Sequence, residues 1–148
     1  MRSACLTLLL LTLTACQPSA PESNADLLQG LRGQWVVINY WAEWCKPCIK
    51  EIPELNALDS DYESVTVLGV NYDGATGDAL QAQLDALQVQ FETLGEDPAG
   101  LLGLDRPNVL PTTLIINPAG ELLDTLVGPQ TLESLLAVTV HRASQAEK

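Results

Sequence analysis

Apolar and polar positions follow one another along this chain in blocks that predict alternating strands and helices. Trp35–Trp41 is an almost unbroken apolar, β-rich run, and Val65–Tyr72 is a second one. Between them, the residues from Lys46 to about Ser60 place apolar side chains at helical spacing. Leucines at 80, 84 and 87 form a similar stripe over Asp78–Gln88. Because strands that alternate with helices build a covered sheet, the first half predicts an α/β domain.

The second half predicts a hairpin and a last helix. Thr113–Asn117 is β-branched and apolar, a turn follows at 118–120, and residues 121–127 read as the returning strand. Thr131 is a favourable N-cap for a helix that ends near Val140. A shorter strand and a shorter helix are expected at Phe91–Leu94 and Pro98–Leu104. The whole order predicts a central mixed sheet of four to five strands with helices on both faces.

The N-terminus carries a different signal. An apolar stretch at Leu6–Leu13 follows Arg2, and it is too short to span a bilayer, which needs about 20 residues. It is typical of a signal-peptide core. Leu13-Thr14-Ala15-Cys16 resembles the lipobox of bacterial lipoproteins, in which cleavage falls before a cysteine whose thiol carries a diacylglycerol. This resemblance implies a signal peptide at 1–15 and a lipidated Cys16. The alternative is an ordinary secretory signal cleaved near Ala15 or Ala20.

The remaining chain predicts one domain. Residues 16–32 are expected to form the lipidated N-terminus and a flexible tether, because the stretch after Cys16 is polar and rich in Pro and Ser. Residues 33–142 are long enough for one domain with its own core. Residues 143–148 are expected to be a frayed tail.

The net charge of the chain limits the kinds of partner that it can bind. The chain has 19 acidic and 7 basic residues, a net charge of −12. Nucleic-acid binding is therefore not expected, because no basic patch is available to neutralise phosphates. Anionic headgroups would not attract this surface either, so membrane attachment depends on the lipid at Cys16.

Trp44-Cys45-Lys46-Pro47-Cys48 is the clearest chemical motif. It lies where the first strand gives way to a helix, so that Cys45 falls at the helix N-terminus, where the backbone N–H groups favour a thiolate. A structural staple is one alternative, although a loop this short contributes only roughly 2 kcal/mol. Zinc is another, but a structural site needs four Cys or His ligands and the only histidine is His141.

Cysteine usage favours redox chemistry. In an exported, lipidated chain Cys5 leaves with the signal and Cys16 is occupied by lipid, so that Cys45 and Cys48 are left as the thiols. Disulfides form readily outside the cytoplasm. We therefore expect a redox-active Cys45–Cys48 disulfide, with no metal and no other cofactor.

Several segments resemble a known family. The segment from Trp41 to Cys48 looks like the active-site segment of thioredoxins, and Val109–Thr113 resembles the loop that carries their cis-proline. The continuation Cys48–Pro53 and the turn Asn117–Gly120 resemble the membrane-tethered TlpA/ResA-type branch. The match spans roughly residues 33 to 140 and implies a thioredoxin fold.

The resemblance implies roles for the residues of the motif. Cys45 is expected to be the exposed nucleophile, and Cys48 the buried thiol that resolves the mixed disulfide. Lys46 adds positive charge that would lower the pKa of Cys45, unless it is simply a solvated helix lysine. Pro47 stiffens the first helical turn at no hydrogen-bond cost. Trp44 is expected to shield the site.

Two further sets of residues are assigned by the same resemblance. Asn39 stands where cytosolic thioredoxins carry a buried acid, and Glu51, one helical turn after Cys48, is proposed as the compensating acid; a solvated helix residue is the alternative. Pro111 is expected to follow a cis bond, which leaves the Leu110 backbone open to pair with a substrate peptide. A trans turn proline is the alternative.

The function implied is a thiol–disulfide oxidoreductase that acts in the cell envelope and faces the periplasm. It would reduce disulfides of periplasmic proteins, act as a monomer, and receive electrons from a membrane transporter of the DsbD/CcdA type. Gln17 after Cys16 slightly favours the outer membrane over the inner one. A disulfide-introducing oxidase and a copper-handling chaperone on the same fold are the alternatives.

Overall fold

A computed structural model describes residues 23–142 of the chain. The predicted signal peptide, Cys16 and the predicted tail at 143–148 lie outside the described residues. Within them, the structure has helices and strands in the order α1 (Asn24–Gly30), β1 (Trp35–Trp41), α2 (Lys46–Asp61), β2 (Val65–Asn71), α3 (Gly77–Leu87), β3 (Glu92–Leu94), β4 (Thr112–Ile116), β5 (Leu122–Val127) and α4 (Leu132–Val138).

The strands form one five-stranded sheet in the order β3-β2-β1-β4-β5. β1 lies at the centre, parallel to β2 and antiparallel to β4. β3 extends the parallel side, and β5 returns as the outer strand of the β4–β5 hairpin. The predicted mixed sheet is therefore confirmed, and the architecture is the thioredoxin-like α/β fold.

Side chains of β1 alternate between two cores, as the pleat of a strand requires. Val37 packs on one face with Ile52, Leu55 and Leu58 of α2, together with residues of α4. Val36, Ile38 and Tyr40 face the other side. The whole of β1 is buried because helices and loops cover both faces.

The predicted tether is wrong over residues 24–30, which form α1. The Ser23 side chain caps this helix by accepting a hydrogen bond from the Asp26 N–H. Leu27, Leu28 and Leu31 pack against the second core, so that apolar burial holds a segment whose composition suggests a linker.

The helix expected at Pro98–Leu104 is absent from the described structure, where these residues form turns. The N–H groups of Leu102 and Leu104 both bond to the Ala99 carbonyl, which closes one turn. Gly103 then adopts a positive φ of 69°, and this left-handed residue ends the turn. α2, in contrast, runs through Pro53 to Asp61.

Gly69 in β2 makes room for the site. A Cβ at this position would lie 2.8 Å from Trp41 Nε1 and 2.7 Å from Thr93 Oγ1. The missing side chain thus lets the Trp41 indole lie against β2, in the cluster that it forms with Ala42, Cys45 and Cys48.

Candidate active site

Cys45 and Cys48 form a disulfide where β1 passes into α2, with 5.3 Å between their Cα atoms. Cys45 is the N-cap of α2, and the Cys48 N–H donates to Cys45 Sγ at 3.3 Å. Pro47 occupies the first helical turn, as expected. A thiolate at Cys45 would accept the same N–H and meet the positive end of the helix dipole, which favours its ionised form.

The two cysteines differ in access, but less than predicted. Cys45 is 4% exposed and Cys48 is 0% exposed. The expectation of an exposed Cys45 is therefore wrong in extent, because Trp41, Ala42 and Leu110 pack around the pair. Cys45 still has the only opening of the two, which fits attack on an incoming disulfide by Cys45 and resolution by Cys48.

The two tryptophans before the cysteines have different environments. Trp41 is fully buried in the cluster around the disulfide, whereas Trp44 is 60% exposed. The Trp44 Nε1–H donates to Asp73 Oδ2 at 2.8 Å, which holds this exposed ring beside the site. Trp44 thus offers an apolar surface beside Cys45, and its shielding role stays a prediction.

The opposite wall is the loop before β4. The Leu110–Pro111 peptide bond is cis, as predicted, and the trans alternative is excluded. Leu110 packs against the cluster that contains both cysteines. The Pro111 carbonyl accepts the Gly128 N–H at 2.9 Å, which ties the loop to the end of β5. The predicted substrate-binding pair therefore lies beside the disulfide.

Asn39 and Glu51 meet beneath the disulfide. The Asn39 Nδ2 donates to Glu51 Oε1 at 2.6 Å and to Thr113 Oγ1 at 3.0 Å. The Gln130 N–H donates to Glu51 Oε2 at 2.8 Å. Glu51 is 1% exposed, so the solvated-residue alternative is wrong. Sequence spacing placed Glu51 near Cys48 but gave no sign of Thr113 or Gln130, which folding brings in from distant parts of the chain.

Burial changes the acidity of Glu51. Loss of solvent raises the pKa of the Glu51 carboxyl, and the hydrogen bonds from Gln130 and Asn39 partly oppose that rise. A hollow of about 220 Å³ borders this side chain. Its lining is Lys50, Glu51, Glu54, Pro129, Gln130 and Thr131. Glu51 is therefore a buried carboxyl with a raised pKa, one helical turn after Cys48.

A second hydrogen-bond network, which the sequence pattern did not predict, contacts the disulfide cluster through Tyr72. The Tyr40 hydroxyl donates to Asp97 Oδ1 at 2.7 Å, and Asp97 Oδ2 pairs with Arg106 Nε at 2.9 Å. The Arg106 guanidinium lies 4.1 Å from the centre of the Tyr72 ring, which packs against the disulfide cluster. Burial and the hydrogen bond to Asp97 raise the pKa of Tyr40. These partners are far apart in the chain, so no local pattern could indicate them.

Neither a metal site nor a spanning helix is found among residues 23–142. No group of three or more His, Cys, Asp or Glu side chains in this range could hold a metal ion. The helices described are too short or too polar to cross a bilayer.

A thioredoxin-like fold with a disulfide at a helix N-terminus, faced by a cis-proline loop, defines a class of redox proteins. Residues 17–124 match the AhpC/TSA family, and the chain belongs to this family.

Similar proteins agree with this class. The chain is 35% identical over 113 residues to the thiol:disulfide interchange protein HelX of Rhodobacter capsulatus, covering 76% of this chain and 61% of HelX. It is 30% identical over 116 residues to the thiol-disulfide oxidoreductase ResA of Bacillus cereus, covering 77% and 66%. A crystal structure of a thiol:disulfide interchange protein DsbE from Chlorobium tepidum is 28% identical, with a TM-score of 0.62 and coverage of 78% and 84%. The chain thus spans about three fifths to two thirds of the length of these two curated relatives.

Proposed function

We propose that this protein is a membrane-tethered, extracytoplasmic thiol–disulfide oxidoreductase that reduces disulfides of periplasmic proteins. The observation that carries the proposal is the Cys45–Cys48 disulfide at the N-terminus of α2, faced by the cis Leu110–Pro111 loop. Relatives named as thiol:disulfide interchange protein HelX and thiol-disulfide oxidoreductase ResA support it.

The reaction begins from the reduced dithiol. The Cys45 thiolate attacks one sulfur of the substrate disulfide, so that a mixed disulfide forms and one substrate thiolate leaves and takes up a proton. Cys48 then loses its proton, and its thiolate attacks Cys45 Sγ. This step forms the Cys45–Cys48 disulfide and releases the second substrate thiolate. Two electrons pass to the substrate, and the positive charge of Lys46 favours the thiolate at Cys45.

Two of the assigned groups act around these steps. Glu51 is placed to accept the Cys48 proton, because its carboxyl lies on the same buried face of α2 and Asn39 fixes its orientation. The backbone of Leu110 is placed to pair with the substrate chain as a short strand. Each turnover leaves the protein oxidised, so a dithiol donor must return two electrons. By family resemblance, that donor is a membrane protein of the DsbD/CcdA type.

The redox potential tests the direction of electron flow. A reductant should have a Cys45–Cys48 potential more negative than about −200 mV, whereas a disulfide-introducing oxidase should lie near about −120 mV. The protein is equilibrated in glutathione buffers of graded ratio, quenched with acid, and alkylated, and the oxidised fraction is read by mass. The Cys45→Ala/Cys48→Ala double variant is the control for background alkylation. A potential near the oxidase value would overturn the proposed direction.

The tether is part of the same proposal. We propose cleavage after Ala15, lipid at Cys16 and attachment of a monomeric domain to the envelope, with the outer membrane favoured. In a diderm bacterial host the wild type should sediment with membranes and incorporate labelled fatty acid. The Cys16→Ala variant should lose both, and Cys5→Ala should lose neither. Fatty-acid labelling that persists in Cys16→Ala would refute the lipid site.

A further inference from the structure

The charges around the disulfide are not distributed like those of the rest of the chain. Lysines and arginines are few in the part that the structure describes: Arg32, Lys46, Lys50, Arg106 and Arg142. Arg106 is paired with Asp97, and Arg32 donates to the Ala119 carbonyl. Lys46 and Lys50 are exposed and make no hydrogen bond or ion pair within residues 23–142. Two unpaired cations, one directly after Cys45 and one a helical turn further on, therefore stand on a chain whose net charge is −12.

The two lysines share one side of the site. They lie one helical turn apart on α2, so their side chains are neighbours on the helix surface. Lys50 also borders the hollow beside Pro129 and Gln130, which places it toward α4.

Acidic groups also lie near the site. Glu43 is exposed in the loop before Cys45, and Asp73 follows β2 and holds the Trp44 indole. Asp73 is engaged by the Trp44 indole, whereas Lys50 borders the hollow beside Pro129 and Gln130. Glu54 also borders that hollow, but its Oε2 accepts the Leu132 N–H at 2.9 Å, whereas Lys46 and Lys50 have no such partner in the described residues.

We propose that Lys46 and Lys50 are specificity-determining residues that favour substrate disulfides with carboxylates next to the cystine. The inference rests on the proposed function and names the class of substrate. A carboxylate on the half of the substrate joined to Cys45 meets Lys46 directly and Lys50 one turn further on. Glu43, exposed two residues before Cys45, disfavours the same carboxylate.

Local charge outweighs net charge in this setting. At physiological ionic strength the Debye length is about 8 Å, so that most of the acidic surface is screened from a group bound at Cys45. Charges within a few ångströms are screened much less. Two such lysines should change the exchange rate of an anionic disulfide by about three- to tenfold, an effect that disappears at high salt.

Three small disulfides of different charge separate recognition from thiol chemistry. Reduced full-length protein is mixed with oxidised glutathione (anionic), hydroxyethyl disulfide (neutral) or cystamine (cationic), and formation of the Cys45–Cys48 disulfide is followed by tryptophan fluorescence or acid quench. Each charged rate is divided by the neutral rate. A change in the pKa of Cys45 alters the three rates together and cancels in these ratios, so the ratios report substrate recognition alone.

Variants that remove a positive charge and variants that remove a negative charge should change the two rate ratios in opposite directions. Lys46→Gln/Lys50→Gln should lower the glutathione ratio about three- to tenfold and raise the cystamine ratio, and Lys50→Gln alone should give part of that change. Glu43→Gln should shift both ratios the other way. Arg142→Gln, which removes one positive charge after α4, is the matched control and should leave both ratios unchanged.

The outcomes separate the two proposals. Ratios that do not respond to the lysine variants, while all three disulfides still react, overturn the recognition role and leave the oxidoreductase intact. Failure of the wild type to react with any of the three overturns the proposed function itself. Loss of the lysine effect in about 0.5 M salt, where the Debye length falls to about 4 Å, is the further result expected of a charge interaction.

Discussion

Cys48→Ala should convert the protein from a catalyst into a variant that retains its substrate as a mixed disulfide with Cys45. Cys45 keeps its place at the N-terminus of α2 and still attacks a disulfide, but no second thiol is present to release the product. We expect one stable mixed disulfide per chain and a fall in turnover of at least about a hundredfold. The adduct is measured by intact mass after reaction with hydroxyethyl disulfide, before and after treatment with a reductant. Because Cys48 is fully buried in a small apolar cluster, alanine should be accommodated with little change in the fold.

The matched control is Cys45→Ala, which keeps the buried thiol and removes the nucleophile. It should form no adduct on the same time scale, because Cys48 is 0% exposed. If Cys45→Ala were the variant that accumulates the adduct, the two roles would have to be exchanged. Equal adduct formation by both variants would mean that burial does not decide which sulfur attacks.

Glu51→Gln should slow the attack of Cys48 on the mixed disulfide. It should also remove the ionisation of Glu51 from the pH dependence of that rate. The amide cannot accept the Cys48 proton, and general acid–base assistance of this kind is worth about a hundredfold. We expect the mixed disulfide to persist longer at neutral pH, with its decay measured by rapid mixing and acid quench. Rates of mixed-disulfide decay that are the same in wild type and Glu51→Gln would rule out the proton-accepting role.

The same substitution should change the pH dependence of stability. Burial raises the pKa of Glu51 in the folded state, so the folded protein binds this proton more tightly than the unfolded chain does. As pH rises from 4.5, the ordinary value of this carboxyl, through the raised pKa, the free energy of unfolding of the wild type should fall relative to Glu51→Gln. Below that window the difference should be constant. Urea unfolding of the oxidised proteins at a series of pH values measures it.

Glu54→Gln is the matched control for both measurements. Glu54 lies on the same helix and also accepts a backbone N–H from the start of α4, that of Leu132 at 2.9 Å. It lacks the contact with Asn39 and is only half-buried. The substitution should therefore leave both the decay of the mixed disulfide and the pH slope close to wild type. An equal effect of the two variants would indicate anchoring of α4 rather than proton transfer.

Much of the fold can be predicted from the sequence, because apolar runs and helical stripes are patterns within short segments of the chain. The strands from Trp35 and Val65, the hairpin after Thr113 and the helix after Cys45 all appear close to their predicted bounds. The predictions failed where the composition of a segment suggests one structure and its packing against the rest of the protein stabilises another. Polar residues predict a tether, yet three leucines at 27, 28 and 31 anchor α1 on the second core. Residues 99–103 form turns that end at the left-handed Gly103, where a helix was expected.

The sequence by itself determined which groups are present: a thiol pair at a strand–helix junction, a proline in a second motif, and an acid one turn beyond the pair. These follow from spacing along the chain and from similarity to a known family. The tertiary structure alone decided the environment of these groups. Glu51 became a buried acid because β1, β4 and the start of α4 close around it and supply the Asn39 and Gln130 donors. Long-range packing sets desolvation and the positions of charges, and both depend on residues that are distant in sequence.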